Sequence, residues 1–264
     1  MSIAMYQVDA FSGRAFAGNP AAVCLLDAEK PADWMQSIAA EMNLSETAFI
    51  TPRNSGYDLR WFTPKAEVNL CGHATLASAH VLWECGLVEV QQPIEFYTNS
   101  GILSTQYRSG LIEMNFPAES AQRYEPPEDL LEVFGIPPQE VLKCQSDYML
   151  VLESEATVQN LQPDFSRLEK FDLRGVIVTA KSDSHEYDFV SRFFAPRVGI
   201  NEDPVTGSAH CVLAPYWAAK LAKHDLIARQ LSQRGGVLDL SLQNDRVLIR
   251  GEACTVLKGE LYAD

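Results

Sequence analysis

The stretch Glu202-Asp203-Pro204-Val205-Thr206-Gly207-Ser208-Ala209-His210 follows an aromatic segment ending in proline, Arg192-Phe193-Phe194-Ala195-Pro196, and runs into a long apolar segment. A second stretch has the same build: Leu70-Cys71-Gly72-His73-Ala74-Thr75 follows Arg60-Trp61-Phe62-Thr63-Pro64 and leads into Leu76-Ala77-Ser78-Ala79. Small residues heading an apolar run, after a strand that stops at proline, mark a helix start in both places. Two such starts predict one supersecondary unit used twice.

A search at fixed period supports the repeat. At an offset of 132, Pro31 matches Pro163, Thr47 matches Thr179, Arg60 matches Arg192, Phe62 matches Phe194 and Pro64 matches Pro196. At 135, Gly72 matches Gly207 and Gly101 matches Gly236. Three extra residues therefore lie between the proline and the glycine of the second copy. The run Gly72 to Glu84 is apolar nearly all round, which predicts a helix buried inside its own half, with strands about it. In the second half, Pro215 is expected to kink the corresponding helix or end its first section. The stretch 117–129 holds three prolines and four acidic residues and is read as an exposed connection. The expected domains are 1–117 and 118–257, with a C-terminal strand, 258–264, returning to the first.

The chain has 264 residues, 47% of them hydrophobic and 21% charged, as in ordinary globular proteins. A formal net charge of −14 argues against a nucleic-acid or anionic-membrane surface, since both need clustered Lys and Arg. The six cysteines form no Cys-x-x-Cys pair, which fits a reducing cytoplasm. Asp9, Arg14 and the break at Gly18-Asn19-Pro20 are at odds with a signal peptide or a membrane span near the start. The partners expected are small molecules.

No phosphate loop and no Gly-x-Gly-x-x-Gly after a strand is present, so no nucleotide cofactor is expected. The five histidines form no His-Glu-x-x-His, and His73 and His80 are read as having no acidic partner in helical register; no metal site is expected. What remains is the pair of helix starts. Their unpaired N–H groups suit an anion, and Gly72, Ala74, Gly207 and Ala209 let a ligand approach the backbone. With the halves facing each other, both dipoles would point at one substrate carboxylate. The alternative is that the two glycines only ease tight turns.

Positions where the copies differ carry the chemistry. In Leu44-Ser45-Glu46-Thr47-Ala48-Phe49-Ile50, a period of two puts Glu46 on the face of Leu44, Ala48 and Ile50, where desolvation would raise its pKa towards the range useful for acid-base work. The alternative is an edge strand whose Glu46 faces water. By offset, Glu46 stands opposite Val178 and His73 opposite Ser208, with Asp203 just ahead of the second helix. One carboxylate, one imidazole and one hydroxyl form an acid-base set. Cys71, just before a helix, would have a lowered pKa, but no thiol stands in the second copy to make a two-base racemase. Packing or incidental reactivity is its expected role.

In order along the chain, Gly18-Asn19-Pro20, Asn43-Leu44-Ser45-Glu46, Phe62-Thr63-Pro64, Cys71-Gly72-His73-Ala74-Thr75 and Glu202 to Ala209 together resemble the phenazine-biosynthesis PhzF family. The resemblance implies an α+β fold of the diaminopimelate-epimerase type: two pseudo-symmetric domains, each a mostly antiparallel sheet wrapped round a central helix. It implies Glu46 as the proton-transferring residue, with His73, Asp203 and Ser208 at the substrate site. With the residues of the two helix starts, the candidate substrate-binding set is Asn19, Gly72, His73, Asp203, Gly207 and Ser208. The phenazine enzyme moves a proton between carbons of dihydro-hydroxyanthranilate; the departures at Cys71 and Pro204 put that substrate, not the fold, in question. The function expected is a cofactor-independent isomerase acting on a small carboxylate-bearing metabolite. The alternatives are an amino-acid-type racemase or epimerase, or a metabolite-binding protein with an idle site. A homodimer is common among such relatives.

Overall fold

The structure is a computed structural model that describes residues 2–145 and 147–263. The chain begins with β1 (Ser2–Ala10), β2 (Asn19–Leu25), α1 (Ala32–Met42), β3 (Glu46–Pro52), β4 (Tyr57–Phe62), β5 (Glu67–Val68), α2 (Gly72–Glu84), β6 (Ile94–Thr98), β7 (Gly101–Arg108) and β8 (Leu111–Pro117). It continues through β9 (Gln122–Arg123), α3 (Glu128–Phe134), β10 (Glu140–Lys143), β11 (Asp147–Val151), α4 (Glu155–Asn160), α5 (Phe165–Leu168), β12 (Gly175–Lys181), β13 (Phe189–Ala195), β14 (Ile200–Asp203) and α6 (Gly207–Leu221). It closes with β15 (Asp225–Gln230), β16 (Gly236–Gln243), β17 (Arg246–Gly251) and β18 (Ala253–Tyr262). Two compact units result, Met1–Asn115 with Ile249–Asp264, and Phe116–Leu248. No helix among the described residues is long and apolar enough to cross a membrane.

Each unit is a mostly antiparallel sheet about a central helix, and the same pairing pattern recurs. In the first, β2 runs parallel to β3, β3 antiparallel to β4, β4 parallel to β6 and β6 antiparallel to β7. In the second, β11, β12, β13, β15 and β16 repeat those four relations in the same order. The helix within each pattern, α2 or α6, is apolar around its circumference and is buried on nearly every side.

The pairings correct the register read from sequence. Thr47 faces Phe62 across β3 and β4, whereas Val176 faces Phe194 across β12 and β13. Since Phe62 and Phe194 hold equivalent places, Thr47 is level with Val176 and Glu46 with Gly175, an offset of 129. The parallel pairs agree, Ala21 with Glu46 and Asp147 with Gly175. Glu46 is therefore not opposite Val178. The Thr47 and Thr179 identity misled because a three-residue slip is odd, and in a strand an odd slip inverts every side chain.

Two further readings are corrected. Pro215 neither ends α6 nor divides it; the helix runs unbroken from Gly207 to Leu221. Pro215 cannot donate to the Cys211 carbonyl, and the Glu119 amide fills that place at 2.9 Å. The stretch 117–129 is not a bare connection, because β9 and the start of α3 lie in it. The helices α3 and α4 span seven and six residues, too short to show helical periodicity.

Candidate active site

In the first unit three elements converge on the start of α2. Strand β3 lies between β2 and β4, so Glu46, its first residue, is not on an edge. Glu46 Oε2 stands 3.2 Å from His73 Nε2, the second residue of the helix. Both atoms are buried and neither is aligned for a hydrogen bond, so two polar atoms are still to be satisfied there. Asn19 opens β2, fully buried, with Nδ2 3.2 Å from His73 Nδ1. Gly18 makes this entry possible: its φ is +70°, and a Cβ there would lie 2.2 Å from the Ala10 carbonyl oxygen.

Cys71 caps α2 by position only, for its side chain makes no cap hydrogen bond. Its Sγ lies 3.5 Å from His73 Nδ1. The expected lowering of its pKa does not occur. Burial pushes the thiol up to about 11, and the Glu46 charge adds to the rise, so both outweigh the helix terminus. Burial alone would lower the His73 pKa, but its neighbours Cys71 and Glu46 more than offset that and hold it well above the ordinary histidine range. The thiol is uncharged at neutral pH, so the part of that rise owed to a Cys71 charge is absent there.

In the second unit the start of α6 is built differently. Thr206 Oγ1 donates to Asp203 Oδ2 at 2.5 Å, and Gln230 on β15 clamps the same turn. Gln230 Oε1 accepts from Thr206 N at 2.9 Å, while its Nε2 donates to the Asp203 carbonyl at 2.7 Å. Arg174, just ahead of β12, forks onto the buried Asp147 and donates from Nη1 to Ser208 Oγ at 3.2 Å. The Phe193 ring supports its guanidinium at 5.3 Å.

Asn19, Glu46, Gly72 and His73 thus meet in the first unit, and Asp203, Gly207 and Ser208 lie together in the second. Sequence reading missed Arg174, Asp147 and Gln230, which sit on strands or strand approaches outside any motif. One signal was available: Arg60 and Arg192 fork onto Glu67 and Glu202, and those glutamates match at 135. The reading of His80 is also corrected, since Glu84 stands in register at 3.8 Å and Thr255 Oγ1 lies 3.1 Å from its ring nitrogen.

Glu46, Cys71 and His73 offer a carboxylate oxygen, a sulfur and a ring nitrogen within 4.8 Å of one another, the one such donor set among the described residues. His73 turns Nδ1 to Cys71 and Nε2 to Glu46, however. Splitting the ring between the two is not how one tetrahedral ion is held.

The profile of the phenazine biosynthesis-like (PhzC-PhzF) family matches residues 8–259. The chain belongs to that family. An uncharacterized isomerase of Halalkalibacterium halodurans is 54% identical over 262 residues, 99% of each chain. The human phenazine biosynthesis-like domain-containing protein is 41% identical, with both chains fully covered. Among solved structures, a PhzF-family protein of Enterococcus faecalis superposes over both whole chains with a TM-score of 0.95 at 44% identity. A probable proline racemase of Agrobacterium radiobacter shares the fold at a TM-score of 0.69 and 11% identity, covering 99% of this chain and 93% of its own. PhzF relatives thus span the entire architecture, which fits the diaminopimelate-epimerase type.

Proposed function

We propose that this isomerase, like its curated relatives so named, moves a proton from one carbon to another on a small carboxylate-bearing molecule, with Glu46 as carrier and no cofactor. The observation that carries the reading is the buried Glu46 and His73 pair, 3.2 Å apart with both facing atoms unbonded. A carboxylate so placed accepts a proton from carbon and returns it, with the His73 imidazole 3.2 Å away to orient it. At the helix start beside it, the N–H groups of the first turn and the bare backbone of Gly72 suit a substrate carboxylate. Substrate binding is the role proposed for Asn19, His73, Asp203, Gly207 and Ser208.

One carboxylate reaches one face of a planar enol-like intermediate, so the proton returns on the side it left. Inversion needs a second base. Cys71 is protonated at neutral pH, and Thr206 holds the equivalent cap of α6. The test is a screen of small carboxylates in deuterium oxide, following label at every carbon of any substrate found. Solvent exchange that survives in Glu46→Gln, or inversion at the carbon that loses its proton, would refute the reading.

A further inference from the structure

The outer face of β3 and β4 pairs Phe49 with Arg60 and Thr51 with Asp58. Its equivalent in the second unit pairs Val178 with Arg192 and Ala180 with Val190. There α4 covers the surface; in the first unit Trp34 of α1 packs on Phe49, and the open ground lies beside it. Val158 of α4 and Leu161 at its end join the apolar cluster of Val178, Ala180 and Val190. Arg192, forked on Glu202, also donates from Nη1 to three carbonyls ending that helix: Val158 at 3.1 Å, Gln159 at 3.3 Å and Leu161 at 2.7 Å.

Arg60 makes the same fork, onto Glu67 at 2.7 and 2.8 Å, but its Nη1 meets no protein acceptor among the described residues. The cause is a missing helix. Residues 26–31 link β2 directly to α1, whereas residues 152–164, between β11 and α5, hold α4. Where α4 would lie, the first unit has a cavity of 570 Å³ lined by Phe49, Thr51, Asp58, Arg60, Glu29 and Ile102. Of the two carboxylates acting on Arg60, Glu67 is held by the fork, and Glu29 has no cationic partner within ion-pair distance among the described residues.

We propose that this cavity is a docking site for the last turn of a short helix from a protein partner. Arg60 Nη1 takes the terminal carbonyls, an aliphatic side chain lies on the exposed Ile102, and Glu29 takes a lysine or arginine of the kind that favours helix ends. The second unit supplies the template for the first contact, Arg192 on the carbonyls that end α4. The site is on the opposite face of β3 from Glu46, because Phe49 and Glu46 differ by an odd number of residues.

The probe is an acetylated peptide of residues 153–162, held helical by a lactam bridge on its outer side, with and without Asn160→Lys. Amide NMR of the full chain should show saturable shifts at Thr51, Arg60 and Ile102, with tighter binding of the lysine peptide. Arg60→Met should weaken binding about tenfold, equal to about 1.4 kcal/mol. Ile102→Arg, at a side chain 59% exposed and so neutral for folding, should block it. Absence of saturable shifts, equal affinity in both variants, or equal binding of a scrambled peptide would overturn the proposal.

Discussion

The two helix starts occupy the same place in the same strand pattern and carry opposite chemistry. In the first unit, the residue opening β3 is a carboxylate and meets an imidazole, Glu46 with His73. In the second, the equivalent of Glu46 is Gly175, and the guanidinium of Arg174, one residue earlier, meets the Ser208 hydroxyl instead. A side chain at Gly175 would put its Cβ 2.4 Å from the Phe193 ring and 2.9 Å from the Phe194 carbonyl oxygen, so no carboxylate fits there. One frame thus presents a carboxylate beside an imidazole once and a guanidinium beside a hydroxyl once. What sets the two helix starts apart is the residue each frame places beside them.

The largest effect expected is on turnover. Glu46→Gln keeps shape and hydrogen bonding but cannot exchange protons, so kcat should fall about 100- to 10,000-fold with KM little changed. Arg174→Lys should do the reverse, raising KM about tenfold with kcat nearly intact, because lysine lacks the planar fork. A fall in kcat with unchanged KM in Arg174→Lys would refute a binding role for Arg174.

The next effect is on stability. Thr75 Oγ1 donates to the Cys71 carbonyl at 2.6 Å, and in the second copy His210 Nδ1 makes the same contact to the Thr206 carbonyl at 2.8 Å. Burial pushes His210 down to about 4, against about 6.5 in the unfolded chain. Above pH 6.5 the ring is neutral in both states. As pH falls towards 4 the unfolded chain takes a proton that the folded one refuses, so stability drops by about 1.4 kcal/mol per pH unit, about 3 kcal/mol in all. Replacing the ring by the other copy's residue, His210→Thr, should remove that slope in urea denaturation run across this pH range; a slope that persists would place it elsewhere.

Smaller still, Gly175→Ala should cost about 1–3 kcal/mol from overpacking against Phe193, read from the same denaturation curves. Cys71→Ser should leave kcat within about threefold, since the thiol is protonated at neutral pH. Loss of turnover there would reinstate a second base and the epimerase reading.

Much of this was legible in the amino-acid order. The two glycine-led helices, the repeat, and the Glu46 and His73 candidates follow from small residues at helix starts and from period-two strands. The faces of β12 did not follow, because a lone identity, Thr47 with Thr179, outweighed a parity that only the cross-strand partners reveal. Arg174 was invisible for a related reason: its partners Asp147 and Ser208 lie 27 and 34 residues away, joined by sheet pairing and not by local spacing. The unbroken α6 was misjudged because the acceptor left by Pro215 is filled by Glu119, 92 positions upstream of Cys211.

Strand β18 lies beyond the whole second unit in sequence, yet pairs with β1 from Ala10 and Ala253 to Ser2 and Tyr262. On a ribosome the first unit therefore cannot close until the 133 residues from Phe116 to Leu248 have been translated. At about 5–20 residues per second, that leaves the outer edge of β1 open for roughly 7–27 seconds. During this interval the nascent chain carries a strand that any passing β-segment could pair with, so chaperone demand should be set by the first unit, although it emerges first.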